Sequence, residues 1–253
     1  MKAQVIPTNE IYHEIIAAPD LATRQALYKQ KFVAPFEQMM QMFSRDPNDV
    51  FSAARAWAWL LPEDLDTVPE QLVKLEAADA WQVAADALHQ AAVSFEPYAD
   101  KIPFDTVTGW LMVADPKRSM PIGRGYTGAM DWYRPQVIGQ FDTPNEYNLP
   151  RIPGLMVHEM HHLIRMAIFP WNMQTTSVAD YIVIEGTAES LAAALFGEEI
   201  VGYYVTDISA EDLAIARELI GQNLEACGFD VIRRYIFGDS ISAQHQGTEP
   251  LGM

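Results

Sequence analysis

The sequence predicts an α+β fold, mainly helical, in which a small, mainly antiparallel sheet supports two helices that carry the chemistry. Three observations lead there. Apolar residues recur at helical spacing through the first hundred positions, strand-like stretches are confined to positions 106–141, and two long apolar segments follow with ionisable side chains one turn apart. A chain of 253 residues is long for one core but within range. We divide it into a helical N-terminal region, 1–104, and a second region, 105–253, that together form one continuous domain.

Composition narrows the function classes. With 49% hydrophobic residues the chain can bury a sizeable core, and its net charge of −17 repels phosphate backbones and anionic lipid surfaces. Nucleic acid and membrane are therefore not expected partners. The lone Cys227 rules out an internal disulfide framework and suits a reducing compartment. The opening Met1-Lys2-Ala3-Gln4-Val5-Ile6-Pro7-Thr8 lacks the apolar centre of a signal peptide, and no apolar run approaches the roughly 18 residues of a membrane span. A cytoplasmic protein is expected.

From the start, Thr8 or Asn9 caps a segment carrying Ile11, Ile15 and Ile16, and Leu27, Phe32, Phe36, Met39, Met40 and Phe43 continue an apolar face that Pro35 interrupts. Asp46-Pro47-Asn48 opens a helix through Phe51, Ala54 and Trp57 to Leu61. Thr67-Val68-Pro69-Glu70 reads as a capping box, followed by Trp81, Ala84, Leu88, Ala91 and Phe95 at helical spacing. His13 and His89 stand alone and are assigned no role. Thr106 to Ala114 and Gln136 to Phe141 have strand composition. Between them, Pro121-Ile122-Gly123-Arg124-Gly125-Tyr126-Thr127-Gly128 lacks the Lys and the spacing of a phosphate loop, and reads either as an edge strand or as a turn.

The chemistry concentrates in Leu155-Met156-Val157-His158-Glu159-Met160-His161-His162-Leu163-Ile164. Residues four apart share a helix face, with Cβ atoms about 5–6 Å apart, so His158 and His162 can reach one metal ion at about 2.0–2.1 Å. Glu159 flanks that ion without binding it and is placed to take the proton of a zinc-bound water. The bland alternative is a buried helix with satisfied core histidines; His161, off the ligand register, is expected to make only a structural hydrogen bond. Ser177-Val178-Ala179-Asp180 caps a second apolar helix bearing Glu185 and Glu189 on one face. Two His and one Glu, with a fourth position open, form a catalytic rather than a structural zinc set. The third histidine of the extended His-Glu-x-x-His-x-x-Gly-x-x-His pattern is absent, since Ile168 stands at its position and Arg165 at that of the glycine, and Asp180 already serves as a cap. Ser209 caps a further helix, and a last one runs from Asp230 to Phe237.

His158-Glu159-Met160-His161-His162 followed by Glu185-Gly186-Thr187-Ala188-Glu189 resembles the gluzincin peptidases, and most closely the YjaZ-like family of predicted bacterial zinc-dependent proteases. The likeness covers most of the chain, although only these two motifs are specific. It implies a zincin-like fold, one Zn2+ per chain on His158, His162 and Glu185, Glu159 as general base, and Glu189 orienting a ligand histidine. The expected function is hydrolysis of a peptide or protein substrate; the alternative is a catalytically silent zinc-binding interaction or sensor protein. Gluzincin-like peptidases place an edge strand along the cleft rim ahead of the His helix. By that likeness Gly123, Arg124, Gly125 and Tyr126 would line the substrate, with Arg124 and Tyr126 on one side of the strand. Tyr126, Tyr203, Tyr204 and His245 are candidates for assisting the oxyanion. YjaZ-like chains usually continue beyond the position of Gly247-Thr248-Glu249-Pro250-Leu251-Gly252-Met253 with a Gly-Tyr-rich segment and a final helix, so a truncated product would lack a wall of the cleft.

Overall fold

The computed structural model describes residues 1–119, 123–247 and 249–251, without the side chains of 240–246. Four strands form one sheet: β1 (Lys2–Val5), β2 (Thr106–Val113), β3 (Tyr126–Met130) and β4 (Gln136–Phe141), in the order β1-β2-β4-β3. The expectation of a mainly antiparallel sheet is corrected. β1 runs parallel to β2 and β2 parallel to β4, and only β3 and β4 are antiparallel. The cause is connection length: β3 and β4 are joined by the short turn 131–135, whereas the other two pairs return through long crossovers, which parallel pairing requires. β4 is buried at all six positions, the mark of a strand covered on both faces.

The helices are α1 (Thr8–Ile16), α2 (Leu21–Tyr28), α3 (Glu37–Phe43), α4 (Ser52–Ala56), α5 (Glu70–Ala77) and α6 (Ala80–Ser94) before the sheet. After it come α7 (Ile152–Ile168), α8 (Val178–Phe196), α9 (Tyr203–Thr206), α10 (Ala210–Gly221) and α11 (Phe229–Gln246), the last broken at Gly238. Residues 29–36, around Pro35, leave regular α geometry as short π and 3-10 turns between α2 and α3. Three other local expectations change. The helix expected to reach Leu61 ends at Ala56, because Ala58 turns to φ 59° and Trp59 bridges to Ala114. Pro69 precedes α5 without a side-chain cap, so Thr67 forms no capping box there. And β1 places a strand where only helices were expected.

One hydrophobic core runs from Ala3 to Ala192. On one face of the sheet, Leu88 of α6 and Met156 of α7 close on Gly109, and Leu155 and Met156 close on Gly139. On the other, the Phe36 ring meets Trp59 and Trp110 edge-on. Buried indoles need partners for their N–H groups, and β4 supplies them: Trp59 Nε1 donates to Gln140 Oε1 at 2.9 Å and Trp110 Nε1 to Gln136 Oε1 at 2.8 Å. The sheet is thus clamped between two helical layers, with α7 fixed across β3 and β4. Among the described residues no helix is long and apolar enough to cross a membrane.

Candidate metal centre

α7 starts with Pro153 in its first turn, where the missing N–H costs nothing, and buries ten of its seventeen residues. α8 starts at a reciprocal cap: Ser177 Oγ accepts from Asp180 N at 3.1 Å, and Asp180 Oδ2 accepts from Ser177 N at 3.0 Å. The two helices lie side by side and bring His158, His162 and Glu185 together, with one ligand atom from each inside a 4.8 Å spread. Glu185 Oε2 lies 3.2 Å from His158 Nε2 and 3.3 Å from His162 Nε2. Ligand atoms of a tetrahedral zinc at about 2.0–2.1 Å stand about 3.3 Å apart, so two of the three separations already suit that ion. Two imidazole nitrogens and one carboxylate oxygen are also a donor set that zinc accepts.

Charge supports the convergence. Burial pushes the Glu185 carboxyl up, but the hydrogen bonds from His158 and His162 outweigh it and hold the group well below the usual carboxylate range. Burial likewise lowers His158, yet Glu185 and Glu189 more than reverse this and raise it to about 10. Glu189, one turn after Glu185, reaches His158 Nδ1 at 2.9 Å, and its carboxylate also accepts from the Tyr204 hydroxyl and from Gly202 N at 3.3 Å. Tyr204 Oη is 3.4 Å from His158 Nδ1, on the side of the ring away from the Nε2 that faces Glu185. Tyr203 stacks edge-on against Tyr126 instead. The His245 side chain lies outside the described residues. His162 Nδ1 is buried and has no hydrogen-bond partner among them.

Glu159 is 8% exposed and accepts no hydrogen bond among the described residues. Burial raises its pKa, with His158 and His162 opposing. Its carboxylate lies directly against Gly128 of β3: a Cβ built there would stand 2.2 Å from Glu159 Oε1. β3 is an edge of the sheet. Bonds from Asp131 N to Gln136 O and from Asp142 N to Gly125 O set the alternation, so Thr127 and Ala129 face β4 while the N–H and C=O groups of Gly128 and Met130 point outward.

The glycine-rich stretch divides. Pro121 and Ile122 lie outside the described residues. Gly123, Arg124 and Gly125 form a turn and Tyr126 begins β3, which corrects the expectation of one strand with Arg124 and Tyr126 side by side. Arg124 at φ 48° and Gly125 at φ 84° cannot continue a strand, and a Cβ on Gly125 would stand 2.4 Å from Thr143 O. Arg124 already pairs with Asp207 and lies over the Tyr147 ring, and Tyr126 is buried. His161 meets Phe95 and leaves Nδ1 without a partner among the described residues; burial lowers its pKa to about 4. Sequence reasoning missed Tyr181, one turn before Glu185 on α8, where burial and the Glu185 charge push its hydroxyl pKa up; that four-residue spacing was the available signal.

The sequence profile of a family described as "Predicted Zn-dependent protease (DUF2268)" matches residues 80–248. The chain belongs to this family. The chain is also similar to "Uncharacterized protein YjfC" of Bacillus subtilis (strain 168), at 33% identity over 253 residues, covering 97% of this chain and 83% of the relative. No solved structure matches the chain. The span matched by the Zn-dependent protease family opens at α6 and contains β2, β3, β4 and both helices of the metal cluster. A family described as Zn-dependent and a His158, His162 and Glu185 group able to hold a metal ion agree with one another.

Proposed function

We propose that the chain is a zinc metallopeptidase of the HExxH and Glu gluzincin type, with one zinc per chain held by His158, His162 and Glu185 in a zincin-like arrangement. The observation that carries this reading is the leftover carboxylate. Three donors converge on one point, and Glu159, beside them, is buried, raised in pKa and bonded to nothing among the described residues. A buried carboxylate that makes no hydrogen bond and is offset only by the charges of His158 and His162 is costly, and such groups concentrate at working sites. When bound, zinc supplies a Lewis acid that polarises the scissile carbonyl and acidifies water.

Glu159 accepts the proton of the attacking water and passes it to the leaving amine. An extended peptide pairs with the outward N–H and C=O groups of Gly128 and Met130, which sets its backbone beside Glu159. Glu189 orients His158. The test is Glu159→Gln, which keeps the shape and cannot accept the proton: zinc content should be unchanged and cleavage of a peptide library should fall by about 10²–10⁴-fold. Equal inertness of wild type and variant, with both binding one partner equally, would establish the silent zinc-binding protein instead.

A further inference from the structure

We propose that Tyr204, set by Gly202, is a positioning residue for the metal centre: it locks the Glu189 carboxylate that holds His158. The inference rests on the zinc-site reading above, and the geometry behind it is asymmetric. His162 has no hydrogen-bond partner on Nδ1 among the described residues, so the polar contacts that orient the two histidines from outside the cluster fall on His158, from Glu189 at 2.9 Å and from Tyr204 Oη at 3.4 Å. One Glu189 oxygen receives the Tyr204 hydroxyl and faces His158 Nδ1 at 2.9 Å, and the other receives Gly202 N at 3.3 Å. With both oxygens engaged, the carboxylate cannot rotate, and the His158 ring keeps Nε2 towards Glu185. Such outer contacts fix the tautomer and orientation of a ligand histidine.

The segment bringing these donors is itself anchored. Ile200 fills the space over Gly154, Val201 O accepts from Arg151 Nε at 3.3 Å, Tyr203 meets Tyr126 at 6.2 Å between ring centroids, and Asp207 pairs with Arg124. Gly202 is required by the same ring: a Cβ there would stand 2.5 Å from Tyr204 Cε1 and 2.8 Å from Cζ. An alanine at 202 therefore pushes the hydroxyl off Glu189 while leaving the catalytic side chains as they are.

The experiment compares Tyr204→Phe and Gly202→Ala with Tyr203→Phe, which removes a hydroxyl from the same segment that does not touch Glu189. Zinc affinity is measured by competition with a chromophoric chelator, and the 15N signal of His158 Nδ1 is recorded in the metal-free protein. Tyr204→Phe and Gly202→Ala should weaken zinc binding by about tenfold or more and move the His158 signal; Tyr203→Phe should do neither. Wild-type affinity together with an unmoved His158 signal in Tyr204→Phe overturns the proposal. Neither readout needs turnover, so a wild type that binds zinc yet cuts no peptide sinks the peptidase reading and leaves this one standing.

Discussion

A single methyl group at Gly128 separates the place of Glu159 in the chemistry from its place in the fold. In Gly128→Ala the new Cβ would stand 2.2 Å from Glu159 Oε1 and 2.7 Å from Cδ and Cγ, about 1.2 Å short of the 3.4 Å at which ordinary contact begins. Gly128 has no left-handed φ, so the backbone accepts alanine and the carboxylate must retreat. Moving the end of a flexible side chain costs little: with the entropy that alanine recovers in the unfolded chain, net stability should stay within about 1 kcal/mol of wild type. Displacing a general base by about 1 Å costs far more, on the order of 10²-fold in kcat/KM, or about 2.7 kcal/mol of barrier. His158, His162 and Glu185 are untouched, so zinc content should be unchanged. Urea unfolding, elemental analysis and peptide-cleavage kinetics on one preparation read all three quantities. Wild-type kinetics in Gly128→Ala would refute the reasoning, because the carboxylate could then move without consequence.

Glu185→Ala should lose most of its zinc on dialysis; full occupancy by native mass spectrometry would remove Glu185 from the ligand set. Zinc uptake should also be pH-linked. In the metal-free protein the His158 pKa is raised from 6.5 to about 10, so the protonated ring contributes stability that is fully present below about pH 6.5 and is lost as the pH rises towards 10. Between those values, uptake expels about one proton. The calorimetric heat of binding near neutral pH should therefore track the ionisation enthalpy of the buffer, and buffer-independent heats would contradict this.

What the sequence made legible was local. His158 and His162 share a face by spacing alone, Ser177 and Asp180 announce the start of α8, and the Val and Ile of β2 and β4 read as strands. The direction of those strands left no trace, because a period of two is the same in parallel and antiparallel pairs; only the unbroken burial of β4 hinted at it. β1 escaped notice because four residues with one buried position, Ala3, carry no pattern to detect. The glycine-rich stretch is part turn and part edge strand, and the division is imposed by Thr143 against Gly125, a contact no local rule contains. Tyr204 lies fifteen positions from Glu189, and Asp207 eighty-three from Arg124. Such meetings are products of tertiary packing.

The pairing of β1 with β2 makes time part of the fold. Lys2 sits opposite Thr106, with every helix from α1 to α6 inside the loop that this contact closes. A chain emerging from the ribosome N-terminus first carries β1 without a neighbour until β2 has been made, and the helices between must condense in a form that keeps its place open. Contacts so far apart in sequence bear their closure entropy before they return any stabilisation. β1 is thus completed late, and the residues between β1 and β2 are in effect one long crossover connection within the sheet that supports α7.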